Sequence, residues 1–129
     1  MADWKQVRRI ALALPETREG ISYGHASWTV RDKMFAWERP LRPSDLRALG
    51  IEKMTRPILG VRVASLLVKE ALLAADKVAC FTTPHFDGYP AVLIYLDTIK
   101  VASLEDRLVE AWLARAPKKL VKEYLEGRG

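Results

Sequence analysis

Cysteine is nearly absent from this 129-residue chain, with Cys80 alone. No intrachain disulfide is possible, and neither a four-cysteine zinc site nor a secreted disulfide framework can be built. Histidine is almost as scarce, with His25 and His85 the two present. No stretch reaches the ~20 apolar residues of a membrane span. The N-terminus, Met1-Ala2-Asp3-Trp4-Lys5, lacks the apolar run of a signal peptide. A cytoplasmic location without membrane attachment is therefore expected. Also missing are a glycine-rich phosphate loop, a nucleophile elbow and carboxylates at catalytic spacing. No catalytic residue is assigned on this pattern, and no cofactor is expected.

Half of the residues are hydrophobic and 29% are charged, too apolar a mixture for an intrinsically disordered chain. A chain of this length buries roughly two-thirds of its unfolded surface without staples. One domain over residues 1–129 is expected. Asp3 is placed to cap a helix in which Trp4, Val7, Ile10, Ala11 and Leu14 share a face, ended by Pro15. Residues 20–24 read as a linker with glycine at both ends. Residues 27–37 read as a β-hairpin turning at Arg31-Asp32-Lys33, where Asp32 tolerates the positive φ of a tight turn. Residues 39–57 hold three prolines and read as a surface excursion, with Ser44 capping a short turn over 45–49 and Gly50 closing it.

Further on, residues 58–64, 78–82 and 91–96 read as strands. Ser65 caps a helix to about Ala75. Ser103 is expected to open another helix, with Leu104, Leu108, Val109, Trp112 and Leu113 on one face, and Pro117 to begin a last one stopped by Gly127. Val63-Ala64-Ser65-Leu66 recurs as Val101-Ala102-Ser103-Leu104, an echo read as a strand feeding a Ser-capped helix. Together these elements predict an α+β domain: one antiparallel sheet with helices packed on one face.

The charge is uneven. The whole chain carries 21 Lys and Arg against 16 Asp and Glu, a formal +5. Residues 31–62 hold eight basic residues (Arg31, Lys33, Arg39, Arg42, Arg47, Lys53, Arg56, Arg62) against four acids, and residues 115–129 hold five against two. Basic groups beside an aromatic such as Trp37 suit phosphates and a base; a merely solvated surface is the simpler alternative.

A second lead is aromatic. The loop Thr83-Pro84-His85-Phe86-Asp87-Gly88-Tyr89-Pro90 packs a histidine, an aspartate and two aromatics between prolines, whose rigidity lowers the entropy lost on fixing side chains against a partner. If it meets the strand edge at Tyr23-Gly24-His25, then His25 and His85 share a pocket with Trp28 or Trp37. Cys80 reads as a buried structural thiol. Cys80, His85, Asp87 and His25 reach a metal-ligand count without paired ligand spacing, so no metal site is predicted.

Residues 14–19 (Leu-Pro-Glu-Thr-Arg-Glu), Gly24-His25, residues 28–37, the Thr83–Pro90 loop, Ala111-Trp112 and residues 116–120 together resemble the MmcQ/YjbR family, in order along almost the whole chain. The resemblance implies a two-layer α+β domain similar to the secretion-chaperone-like fold, running helix, three strands, helix, two strands, helix. It also implies a double-wing arrangement suggestive of DNA binding, its wing formed by Arg31, Asp32 and Lys33 with Lys118 and Lys119 nearby. Two expectations follow. The first is non-specific nucleic-acid binding, possible partner DNA, through Arg31, Lys33, Trp37, Arg39, Arg42, Arg47, Lys118 and Lys119. The alternative is a small-ligand or peptide pocket formed by His25, Trp28, His85 and Tyr89.

Overall fold

The computed structural model describes residues 2–51 and 56–127. Asp3 and Gln6 cap α1 (Trp4–Leu12) reciprocally: the Gln6 backbone N–H donates to the Asp3 carboxylate at 2.9 Å and the Asp3 N–H donates to the Gln6 side-chain oxygen at 3.0 Å. The expected linker is instead a strand, β1 (Thr17–Ser22). Its residues carry no buried alternation that sequence reading could detect. Tyr23 and Gly24 bring it onto β2 (His25–Val30), both at positive φ as a two-residue hairpin turn requires. Arg31 and Asp32, at φ 48° and 67°, make the same kind of turn into β3 (Lys33–Glu38).

The proline-rich stretch contains α2 (Pro43–Leu49). Its cap is Arg42 rather than Ser44, because the Asp45 carboxylate accepts the Arg42 backbone N–H at 2.8 Å; Gly50 closes the helix in the left-handed conformation. Then follow β4 (Ile58–Arg62), the Ser65-capped α3 (Leu66–Ala75), a short β5 (Cys80–Phe81), a 3-10 turn over Pro84–Phe86, β6 (Ala91–Tyr95), α4 (Val101–Arg115) and α5 (Lys118–Gly127). The start of α4 corrects the reading of Ser103: Val101 and Ala102 already lie inside the helix, and Lys100 is the cap. The Val-Ala-Ser-Leu echo thus marks a strand-helix junction only at its first copy. Relative to the element order implied by the family resemblance, β4 and α3 fall between α2 and the last two strands, and α5 follows α4.

The six strands form one antiparallel sheet in the order β1-β2-β3-β4-β6-β5, so the fold is α+β. On one face, Trp28, Val30, Phe35, Leu59, Val61, Val92 and Ile94 pack with Val7 and Ile10 of α1, Leu104, Leu108 and Trp112 of α4 and Leu120 of α5. The Trp112 indole N–H donates to the Pro15 carbonyl at 3.0 Å, tying α4 to the end of the first helical segment. The reverse face carries a second, smaller cluster of Ile58, Phe86, Ala91 and Leu93, with Trp37 and Leu41 against it.

A bulge decides which tryptophan goes where. Trp28 pairs with Ala36 but Thr29 pairs with Met34, so Phe35 is the extra residue on β3. Phe35 and Ala36 both enter the main core, and Trp37 is displaced to the reverse face.

Candidate ligand cleft on the reverse face of the sheet

A cavity of about 790 Å³ opens between the reverse face and two loops, inside the size range of small-molecule sites. Its floor is His25 of β2 with Met34 and Trp37 of β3; one wall is the segment 39–43, and the other is the loop 85–89. Trp37 lies flat against Gly60 of β4, its cross-strand partner, so closely that a Cβ there would stand 2.5 Å from the indole Cε2. Its ring is thereby held in one orientation, with Phe86 tilted beside it at 6.3 Å between centroids. The His85 ring meets Phe86 edge-on at 4.9 Å.

Polar groups converge on the same space. Glu38, at the end of β3, accepts the Ala26 backbone N–H at 3.3 Å and faces His25 Nδ1 at 3.6 Å. Arg39 turns inward: its Nη2 lies 3.0 Å from Asp45 Oδ2, its Nη1 donates to the Pro40 carbonyl, and its guanidinium sits 5.2 Å from the Phe86 centroid. Both charges are buried. Burial pushes the Asp45 carboxyl upward, but the Arg42 N–H, the Arg39 charge and the Thr83 side chain together hold it below the ordinary carboxylate value.

The 85–89 wall is clamped from behind by two cations. Lys69 of α3, buried, donates from Nζ to the carbonyls of Phe86 at 2.6 Å and Tyr89 at 3.0 Å. Desolvation lowers its pKa, partly countered by Asp87. Arg62 of β4 donates to the Pro90 carbonyl at 3.2 Å and the Tyr89 hydroxyl at 3.1 Å, with its guanidinium 4.9 Å from the Tyr89 centroid.

The cavity therefore joins His25, His85 and Tyr89 of the expected pocket with Trp37, Arg39 and Arg42 of the expected nucleic-acid set. Trp28 does not belong to it. It is buried on the opposite face, stacked on Trp4 at 6.4 Å, with its indole N–H donating to Glu19 at 3.0 Å. Arg39, expected among the phosphate contacts, is buried and its charge is paired with Asp45 inside the protein. Arg31 and Lys33 lie at the other end of β3, ~17 Å from Glu38 at strand rise. Arg31 is held there by a two-pronged pair with Glu16 at 2.6 and 3.0 Å. Glu16, by hydrogen bond and by charge, raises the Arg31 pKa, and Glu123 of α5 adds a smaller contribution in the same direction. Lys118 and Lys119 are exposed in the first turn of α5, and Arg47 is exposed on α2. Lys53 and Arg128, counted in the basic stretches, lie outside the described residues.

Sequence reading missed Met34, Glu38, Arg62 and Lys69. Glu38 had a signal: continuing the pairing of a two-residue turn at Arg31-Asp32 sets the end of β3 against the start of β2. Lys69 had none, because its carbonyl partners lie 17 and 20 residues away.

Cys80 is buried in the main core. Its thiol is pushed up to about 11 by burial first and by the Asp76 carboxylate second, against a smaller opposing effect of Arg107, so it stays protonated near neutral pH. Among the described residues no three His, Cys, Asp or Glu side chains gather to hold a metal ion, and no helix is long and apolar enough to cross a membrane.

Uncharacterized proteins of Mycobacterium tuberculosis (strain ATCC 25618 / H37Rv; Rv2570) and Mycobacterium bovis (Mb2600) are each 49% identical to this chain over 132 residues, covering 100% of both sequences. Among solved structures, the Deinococcus radiodurans protein DR2400, a DUF419 domain, superposes with a TM-score of 0.68 at 19% identity, covering 95% of this chain and 88% of that one. That likeness is one of fold. The YjbR family model matches residues 12–114, and with these relatives it establishes that the chain belongs to the YjbR family.

Proposed function

We propose that this protein is a small-ligand-binding module whose site is the cleft between the reverse face of the sheet and the loops at 39–43 and 85–89. The observation that carries this reading is the meeting of His25, His85 and Trp37 around one cavity of about 790 Å³. Concave, mostly apolar sites with a few convergent polar groups are how proteins hold small molecules. The rigid Trp37 ring and the clamped 84–90 loop support it further, because a site fixed before binding loses little entropy on occupation.

Binding along a nucleic-acid backbone draws less support from the same side chains. Arg31 is engaged by Glu16, Arg39 by Asp45 and Arg56 by Asp97. Of the others in the expected set, Arg42 lines the cleft and Lys33 starts β3, with Arg47 on α2 and Lys118 and Lys119 on α5, so they are spread over several elements.

The test is a two-dimensional amide and indole NMR titration with small planar probes, indole and benzoate, beside a DNA duplex at low and physiological salt. The expected result is shifts at His25, Trp37, His85 and Tyr89 with the small probes. Duplex affinity should be weak and fall steeply with salt, without cleft shifts. No response of the cleft to any probe at millimolar concentration would overturn the reading.

A further inference from the structure

Two charged groups in the cleft have capacity to spare. Glu38 Oε1 accepts one hydrogen bond, from the Ala26 N–H, with His25 Nδ1 facing it at 3.6 Å; its Oε2 makes no hydrogen bond among the described residues, so both oxygens keep acceptor capacity. The guanidinium of Arg42, exposed on the 39–43 wall, has no carboxylate partner among the described residues, whereas neighbouring Arg39 is neutralised by Asp45. Arg42 follows Glu38 by four positions, so their Cα atoms are at most ~14 Å apart. Trp37, one face on Gly60, lines the same cavity as both.

A ligand matching this arrangement is flat, offers N–H donors at one edge and carries an anion at the other end. A carboxylate is acceptor-only when ionised and takes two parallel N–H donors. A guanine edge presents two adjacent N–H donors of that kind, whereas adenine presents one amino group beside an acceptor nitrogen. A guanidinium pairs with phosphate in the same two-pronged manner, and base stacking on an aromatic ring contributes ~1–3 kcal/mol in nucleic-acid sites.

Resting on the ligand-cleft reading above, we propose that the cleft binds a guanine-type nucleotide: the base lies on Trp37, its N–H edge donates to Glu38, and its phosphate meets Arg42. Two sources share this chemistry, a free mononucleotide and a guanine within a single strand.

The experiment is calorimetry with NMR mapping on the full chain, using GMP, guanosine, AMP, a single-stranded heptamer with one central guanine, and the indole and benzoate controls. GMP is expected to bind at least about tenfold more tightly than AMP or guanosine, shifting the Trp37 indole signal. E38Q should abolish the preference over AMP, and R42Q should reduce GMP to the affinity of guanosine. Tighter binding of the heptamer with the same two dependences supports the same chemistry and assigns the strand as source. Equal affinity for GMP, AMP and guanosine overturns the assignment, and this comparison needs no variant to fold. Occupation of the cleft by indole or benzoate but not by GMP overturns the nucleotide while leaving the ligand-cleft reading intact. Silence of every probe removes both.

Discussion

The indole of Trp37 occupies the space a side chain at Gly60 would fill: a Cβ at position 60 would stand 2.5 Å from Cε2 and 2.7 Å from both Cζ2 and Nε1. The glycine is required here for close approach rather than for backbone freedom, since its φ is not positive. It converts a mobile aromatic into part of the cleft floor. Gly60→Ala must displace the ring or bend β4. The expected cost is ~1–3 kcal/mol, read by chemical denaturation, together with a changed Trp37 indole environment. An unchanged indole signal would contradict the packing described.

Asp45 and Arg39 form a buried ion pair behind the cleft wall. Asp45→Asn leaves the Arg39 charge buried without its counter-ion, and a loss of ~3–5 kcal/mol is expected. Because the folded carboxyl pKa is lowered, its stabilising contribution is complete above the unfolded value of ~4 and disappears as pH falls through the folded one. Denaturation midpoints of the wild type should therefore drop below pH 4 more steeply than those of the Asn variant.

Lys69 holds the far wall without touching the cavity. Lys69→Met keeps the aliphatic stem but removes the side-chain donor from the carbonyls of Phe86 and Tyr89, leaving them only the backbone N–H groups of Tyr89 and Ala91, and a loss of ~1–3 kcal/mol in all is expected. Hydrogen exchange should accelerate through residues 85–89 first. Equal protection in variant and wild type would show that the loop is shaped by other contacts.

For Cys80 the sign is opposite to that of Asp45. A thiol raised in the folded state to about 11 contributes its stability in full below the unfolded value of ~8.5 and loses it as pH rises toward the folded one. Cys80→Ala should flatten the alkaline limb of the stability profile by roughly 3 kcal/mol relative to wild type. A thiol reagent at neutral pH should leave the folded protein unlabelled.

The elements legible in the sequence were those whose signals are local. Asp3 and Ser65 cap α1 and α3 as their positions indicate, and the Arg31-Asp32 turn follows from chain chemistry at two residues. β1 was illegible because its outward-facing Thr-Arg-Glu-Gly-Ile-Ser run takes its conformation from its partner strand. Ser44 and Ser103 were attractive caps that lost to a carboxylate at Asp45 and to an apolar first turn at Val101. His25, His85 and Tyr89 line one cavity, whereas Trp28 lies in the main core on the other face. In an unbroken two-residue hairpin Trp28 and Trp37 would share a face. The extra residue Phe35 reverses that parity, and no propensity announces a bulge. Lys69 depends wholly on tertiary proximity.

The sheet ends on one side at β1 and on the other at β5, and both borders are poor templates for a further strand. The first places Arg18 and Glu19 at its centre, with Glu19 anchored to Arg8 and to the Trp28 indole. The second offers two residues before the chain turns away. An incoming strand would have to desolvate fixed charges on one border and would find too short a ladder on the other. Growth of the sheet by lateral addition is thus discouraged at both ends.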